Sequence, residues 1–326
     1  MDAQIKQYIQ AINKEIATKR YGDQPRELYE PISYLMDLGG KRMRPLLTVL
    51  AYTLNKKAGE EVIPAALTVE IFHNFTLMHD DIMDQAPLRR GEATVHEKWN
   101  EPIAILSGDV MLVKAYEQII AHCPPEHLKM VLEKFNRCAA EVCEGQQHDM
   151  NFETLEEVSI DQYLDMIRQK TAVLLAFSLE LGGILSGSSS TTSDSLYEIG
   201  IQIGLGFQLM DDILDVYADQ AQFGKQVGGD IISNKKTFLL LKAIELVKGE
   251  DATALQKWIA VAEFDKKEKV EAVKAIYEKL GIRERAENMM QHYFDKGFAS
   301  LEQLEGEEQA KVLMRAFFNY LINREK

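Results

Sequence analysis

Two short acidic runs repeat one pattern at distant places in the chain: His79-Asp80-Asp81-Ile82-Met83-Asp84 and Met210-Asp211-Asp212-Ile213-Leu214-Asp215, each a DDxxD preceded by an apolar, helix-like stretch. On a helix the outer carboxylates, Asp80 with Asp84 and Asp211 with Asp215, stand one turn apart on one face, and the middle ones, Asp81 and Asp212, lie about 100° around. Like charges four residues apart destabilise a helix by about 0.2–0.5 kcal/mol, so a chain that repeats the arrangement has a cation to receive. The candidate ligands are all oxygens, which selects a hard ion. Mg2+ fits best, since it takes one or two carboxylates and completes its shell with water and phosphate oxygens. One such cluster alone would read as a solvated acidic helix end; two copies with the same spacing point to function.

Ions held this way commonly carry phosphates, and phosphates also need basic side chains. Gly39-Gly40-Lys41-Arg42-Met43-Arg44-Pro45 offers a flexible turn and three bases in four positions. Arg89-Arg90-Gly91 follows the first cluster, Lys225 sits between glycines after the second, and Lys235-Lys236 comes one loop later. Arg42 and Lys236 read as ordinary solvated bases. His73 lies two helical turns before Asp80 and is expected to face the same cavity, with Glu70 on the same stripe to orient it.

The elements that must position these groups are helices. All eight prolines lie at or before Pro125, and Leu128–Val142, Asp161–Leu185, Ser195–Val216 and Thr237–Lys248 repeat apolar residues at three- and four-residue steps. Ile5, Tyr8, Ile9, Ile12 and Ile16 do the same near the N-terminus, which lacks the continuous apolar stretch of a secretory signal. Breaks are expected at Gly39-Gly40, Pro87, Pro102, Pro124-Pro125, Gly187–Ser193, Gly224–Gly229 and Gly249, with the Gly187–Ser193 tract a mobile loop inside one bundle. The chain has 326 residues, 46% hydrophobic and 27% charged, with a formal net charge of -14. That is a globular composition whose acidity argues against a nucleic-acid surface. No apolar run approaches the roughly 20 residues that span a bilayer. Cys123, Cys138 and Cys143 form no metal-ligand pattern and read as inert thiols of a reducing cytoplasm.

With GGKRMRP, HDDIMD and its LRRG, EGQQHD, QKT, GFQLMDDILD, GKQVGGD and NKKT in this order, the sequence resembles the trans-isoprenyl diphosphate synthases, the polyprenyl synthetase family that includes farnesyl and geranylgeranyl diphosphate synthases. The resemblance implies an all-α fold, a single domain over residues 1–326 built of long, mostly antiparallel helices around a deep central cavity, and a homodimer. It implies that isopentenyl diphosphate is condensed with an allylic prenyl diphosphate. Asp80, Asp81, Asp84, Asp211 and Asp215 match residues that hold about three Mg2+ on the allylic diphosphate, with Asp212 in support. Arg89, Lys170, Lys225 and Lys235 match positions that contact that diphosphate. Gly40, Lys41, Arg44, His73 and Arg90 match the isopentenyl diphosphate site. Thr171 and Gln208 match polar groups beside the reacting carbons, and Gln146 with Asp149 matches a supporting pair on a neighbouring helix.

The growing tail is expected to run down the cavity past Phe75 and Thr76, just upstream of the first cluster. One aromatic followed by a small residue resembles a geranylgeranyl (C20) pattern more than a farnesyl (C15) one. An ideal helix puts Thr76 about 40° from Asp80 and Phe75 about 140° away, so Phe75 could equally be core. Met111, Val113 and Tyr116 could close the cavity instead, Tyr116 deepest. A terpene cyclase would ionise the same substrates but would not need Lys41, Arg44 and Arg90. A non-catalytic lipid-diphosphate-binding subunit would be expected to have lost some of these groups. A di-metal oxidase would need paired Glu-x-x-His motifs, and only Glu70-x-x-His73 occurs.

Overall fold

The computed structural model describes residues 2–218 and 228–323. Lys225 therefore lies outside the described residues. Helix dominates, as the periodicity requires; among the described residues the strands are Leu88–Arg89 and Glu92–Ala93, an antiparallel pair with Leu88 opposite Ala93. The chain divides into two compact units, one of Met1–Cys138, Leu174–Tyr197 and Gln303–Phe317, the other of Ala139–Val173, Glu198–Glu302 and Phe318–Lys326.

Local signals start most helices of the first unit. In α1 (Ala3–Thr18) the Asp2 carboxylate caps the first turn by accepting from the Gln4 N–H at 2.8 Å, and Ile5, Tyr8, Ile12 and Ile16 form the buried stripe. Next come α2 (Arg26–Asp37) and α3 (Met43–Tyr52). Helix α4 (Ile63–Met83) has Pro64 in its first turn, where no N–H is missed, and buries apolar residues on nearly every side. After the short turn α5 (Val95–Lys98), α6 (Glu101–His122) starts with the Asn100 side chain accepting from the Ile103 N–H at 2.9 Å and packs along α4.

Helix α7 covers Pro125–Thr154, and α8 (Ile160–Ile167) opens on a capping box between Ser159 and Gln162. A π-helical turn, Arg168–Ala172, then leads into α9 (Val173–Ser186), and α10 runs Ser190–Tyr217. Later helices are Phe238–Leu246, Gly249–Ala260, Lys266–Lys279, Ile282–Gln303 and Glu308–Ile322. The expected loop at Gly187–Ser193 is shorter than its composition suggests. Ser189 accepts from the Thr192 N–H at 3.1 Å and starts α10 at Ser190, because serine and threonine are cap formers as well as loop residues. Cys123 and Cys138 are buried and Cys143 is exposed, all as free thiols. Among the described residues no helix is long and apolar enough to cross a membrane.

Candidate active site

Both acidic clusters occupy the last turns of long helices. Asp80 and Asp81 lie in the final turn of α4 with Asp84 as its C-cap, and Asp211, Asp212 and Asp215 sit near the end of α10. That is the negative end of the helix dipole, where each added carboxylate is disfavoured by about 0.3–1 kcal/mol. The three members of the first cluster are not equivalent. Asp80 is half-buried and Asp84 exposed. Asp81 is only 2% exposed, and its two oxygens accept from Nε and Nη2 of Arg89, both at 2.7 Å. A bidentate charged pair of this kind fixes the guanidinium in a plane, so Asp81 holds Arg89 in place.

The next residue, Arg90, has φ +55 and donates from Nη1 to the Gly39 carbonyl. Gly40 has φ +137, a conformation that side chains with a Cβ rarely adopt, so the turn requires glycine there, and the Arg90 guanidinium packs against it. Lys41 is exposed and Arg44 half-buried. Desolvation, then Arg44, Arg90, Arg89 and Arg42, hold the His73 imidazole well below its ordinary value, so it is neutral beside these cations. The first unit thus gathers Gly40, Arg44, His73, Arg89 and Arg90 near one another. Arg42 departs from expectation. Far from solvated, it is 4% exposed and pairs with Glu70 at 2.6 Å, so Glu70 serves Arg42. The sequence hides this because the partner lies 28 residues away and Arg42 looks like its neighbours.

In the second unit the outer carboxylates Asp211 and Asp215 are both half-buried and the middle one is enclosed. Asp212 is 5% exposed; it accepts from the Tyr163 hydroxyl at 2.5 Å and from Gln208 Nε2 at 3.0 Å. Thr171 in turn donates to Gln208 Oε1 at 3.0 Å. Burial, and then the Asp230 carboxylate, push the Asp212 carboxyl up. Tyr163 was not foreseen, since nothing in its neighbourhood distinguishes it from a core tyrosine. Lys170 and Thr171 both lie in the π-helical turn, a distortion frequent at functional sites. Lys170 donates to Asp149 of α7 at 2.6 Å. Desolvation alone would raise the Asp149 carboxyl, but Lys235 and Lys170 outweigh it and hold it below the usual range. Gln146 lies three residues before Asp149 on the same helix.

The segment after the second cluster is tied to it by backbone bonds. The Gly228 N–H donates to the Asp215 carbonyl at 2.6 Å, the Asp230 N–H to Asp215 Oδ2 at 2.8 Å, and the Lys235 N–H to the Asp230 carbonyl at 2.9 Å. Lys235 itself is exposed. Lys236, expected to be solvated, instead donates to the carbonyls of Phe152 and Leu155. It satisfies carbonyl groups at the end of α7.

Upstream of the first cluster, Phe75 is 8% exposed, 5.5 Å between centroids from Phe72 and 4.8 Å from His79. Phe135 of α7 closes the group, meeting Phe72 at 5.2 Å, Tyr116 at 4.9 Å and Phe177 at 5.6 Å. Thr76 donates to the His73 carbonyl at 2.8 Å, and Tyr116 to Asn136. Met111 is fully buried, whereas Val113 is 55% exposed and so cannot close an internal cavity, contrary to expectation. The period of α6 turns it outward.

The donor set fits magnesium. Among the described residues no three His, Cys, Asp or Glu side chains converge to cage an ion by themselves, and magnesium does not need such a cage, because it retains waters and takes phosphate oxygens alongside one or two carboxylates. The half-buried or exposed outer aspartates provide that, and a donor set of oxygens without Cys or His disfavours zinc.

Known proteins match this chain over nearly their whole length. The geranylgeranyl diphosphate synthase of Methanosarcina mazei is 38% identical over 303 residues, 92% of this chain and 91% of the relative. A crystal structure of a geranylgeranyl pyrophosphate synthase superposes with a TM-score of 0.92 at 40% identity, each chain covered to 100%. The Caulobacter crescentus polyprenyl synthase, solved with calcium and isoprenyl diphosphate, gives 0.87 at 27% identity over 99% of this chain and 97% of the other. The polyprenyl synthetase family model matches residues 25–280. By these matches the chain belongs to the polyprenyl synthetases, the trans-isoprenyl diphosphate synthases.

Proposed function

We propose that the protein condenses isopentenyl diphosphate with allylic prenyl diphosphates and releases geranylgeranyl diphosphate, with the acidic clusters as its metal-binding groups. The observation that carries this reading is the shared design of the clusters: accessible outer carboxylates at the negative end of a helix, and an enclosed middle carboxylate that braces a neighbour. An arrangement that is electrostatically unfavourable alone becomes favourable with a cation and its anionic ligand.

Asp80, Asp84, Asp211 and Asp215 would hold about three Mg2+. When bound, the metal supplies positive charge against the departing diphosphate. Arg89, Lys170, Lys225 and Lys235 neutralise oxygens of the same group, so the allylic C–O bond breaks with its electron pair leaving on diphosphate. Lys41, Arg44, His73 and Arg90, with the turn at Gly40, hold isopentenyl diphosphate so that its alkene forms the new C–C bond with the allylic cation. Thr171 and Gln208 direct their dipoles toward that cation, and Gln146 and Asp149 set Lys170. A proton is then lost to the released diphosphate, leaving a chain five carbons longer. The aromatic group around Phe75 and Tyr116 keeps water from the cation and limits the tail, with Thr76 beside it.

The whole chain acts as one domain in this reading, in a cytoplasmic homodimer. Leu106, Val113 and Ile120 of α6, 57%, 55% and 59% exposed, recur every seven residues and form an apolar stripe suited to a second copy. The relative from Methanosarcina mazei, named for the C20 product, supports the product length. The deciding experiment incubates the protein with Mg2+, isopentenyl diphosphate and each of the dimethylallyl, geranyl and farnesyl diphosphates. A C20 product that vanishes with a chelator is expected; no condensation with any primer would refute the reading.

A further inference from the structure

Arg42 and Glu70 form an enclosed ion pair beside the expected isopentenyl diphosphate site, with side chains 3% and 4% exposed and 2.6 Å between Nη1 and Oε1. Burying such a pair is costly and seldom raises stability over an apolar substitute, so its presence needs another reason. Three observations supply one.

The guanidinium is tied on every side. Besides Glu70 of α4, Arg42 donates from Nε to Asn13 Oδ1 of α1 at 3.0 Å and from Nη2 to the Met36 carbonyl of α2 at 2.8 Å. One side chain thereby joins three helices. Its backbone is also constrained: φ is +50, a left-handed conformation uncommon for a residue with a Cβ, and its carbonyl accepts from the Leu46 N–H at 3.1 Å to begin α3. Finally, the neighbours are the bases expected to bind the phosphate. Lys41 precedes Arg42, Arg44 follows two residues later, and Glu70 lies one turn before His73 on α4. Asn74 Nδ2 donates to the Glu70 main-chain carbonyl at 2.8 Å and also lies 3.5 Å from Glu70 Oε1, the oxygen that meets Arg42.

A flexible Gly39-Gly40 turn loaded with cations would spread under its own repulsion. Anchoring the middle cation to a buried carboxylate sets the rotation of the backbone and so the directions in which Lys41 and Arg44 project. We infer that the Arg42–Glu70 pair is a positioning device for the isopentenyl diphosphate half of the site, touching no substrate itself. The inference rests on the proposed condensation.

The test compares the unaltered protein with Glu70→Gln and with the double variant Arg42→Met/Glu70→Leu, measuring thermal unfolding and a separate KM for each substrate. Removing both charges spares the fold a lone buried ion. The double variant should keep a cooperative unfolding transition, yet raise KM for isopentenyl diphosphate about tenfold while KM for the allylic substrate stays within about twofold, as loss of orientation in one half-site requires. Glu70→Gln, which keeps an oxygen for Arg42, should fall between. Unchanged KM values in folded variants, or both rising together, would overturn the inference. If the unaltered protein forms no product, the parent reading fails and takes the inference with it.

Discussion

Gly145 of α7 lies against the π-helical turn so closely that a Cβ there would come within 2.3 Å of the Lys170 backbone nitrogen. Backbone cannot swing aside as a side chain can, so Gly145→Ala must displace either α7 or the turn that carries Lys170 and Thr171. Overpacking of this kind costs about 1–3 kcal/mol, and a shift of the Lys170–Asp149 pair should reduce turnover far more than stability. The expected result is a lower unfolding temperature with kcat down about tenfold or more. Wild-type turnover in Gly145→Ala would show that the π-helical turn tolerates displacement.

How much of this was legible in the sequence depends on what kind of signal each feature sends. The buried stripe of α1 and the one-turn spacing of Asp80 with Asp84 are periodic, and period is what a helix imposes on sequence. The separation of roles inside each cluster is not periodic. It arises because Arg89 and Tyr163 reach the middle carboxylates from other elements. The π-helical turn has no compositional mark, since QKT suits an α-helix equally well. Arg42 and Lys236 were misread for one reason: a base that finds a buried carboxylate or helix-end carbonyls looks, in sequence, like one that finds water.

The neutral His73 makes stability pH-dependent in a definite direction. Its folded value lies below the unfolded one of about 6.5, so the unfolded chain takes up the proton first as pH falls. Stability is intact above about pH 6.5 and declines below it by up to about 1.4 kcal/mol per pH unit, until the folded value is reached. Urea unfolding at descending pH should therefore show a smaller decline in His73→Gln than in the unaltered protein. Equal slopes would mean that the imidazole is protonated normally in the folded state.

Phe75 backs onto Phe72, and Phe72 onto Phe135. Removing the Phe75 ring opens space that the tail could enter, with Phe135 and Phe177 as the next barrier. Phe75→Ala should shift the product beyond C20 and lower stability by about 3–5 kcal/mol, the usual cost of deleting a buried ring. Product lengths from labelled isopentenyl diphosphate check the first expectation and thermal unfolding the second. A destabilised variant with an unchanged product would make Phe75 a core residue with no part in length control.

Asp80 and Asp81 are adjacent in sequence and should fail in opposite ways when neutralised. Asp80→Asn removes a charge from the negative end of α4, so stability should hold, while the Mg2+ concentration needed for half-maximal turnover rises and kcat falls by about a hundredfold, as loss of one group that stabilises developing charge does. Asp81→Asn instead breaks a bidentate pair with Arg89 that is enclosed on the aspartate side. An enclosed pairing so weakened costs about 1–3 kcal/mol of stability, and the released guanidinium should raise KM for the allylic substrate with little change in metal dependence. Titrating each variant with Mg2+ and following its thermal unfolding separates the two. If both lost metal affinity alike and kept their stability, the middle carboxylate would be a ligand like the outer ones, and its pairing with Arg89 incidental.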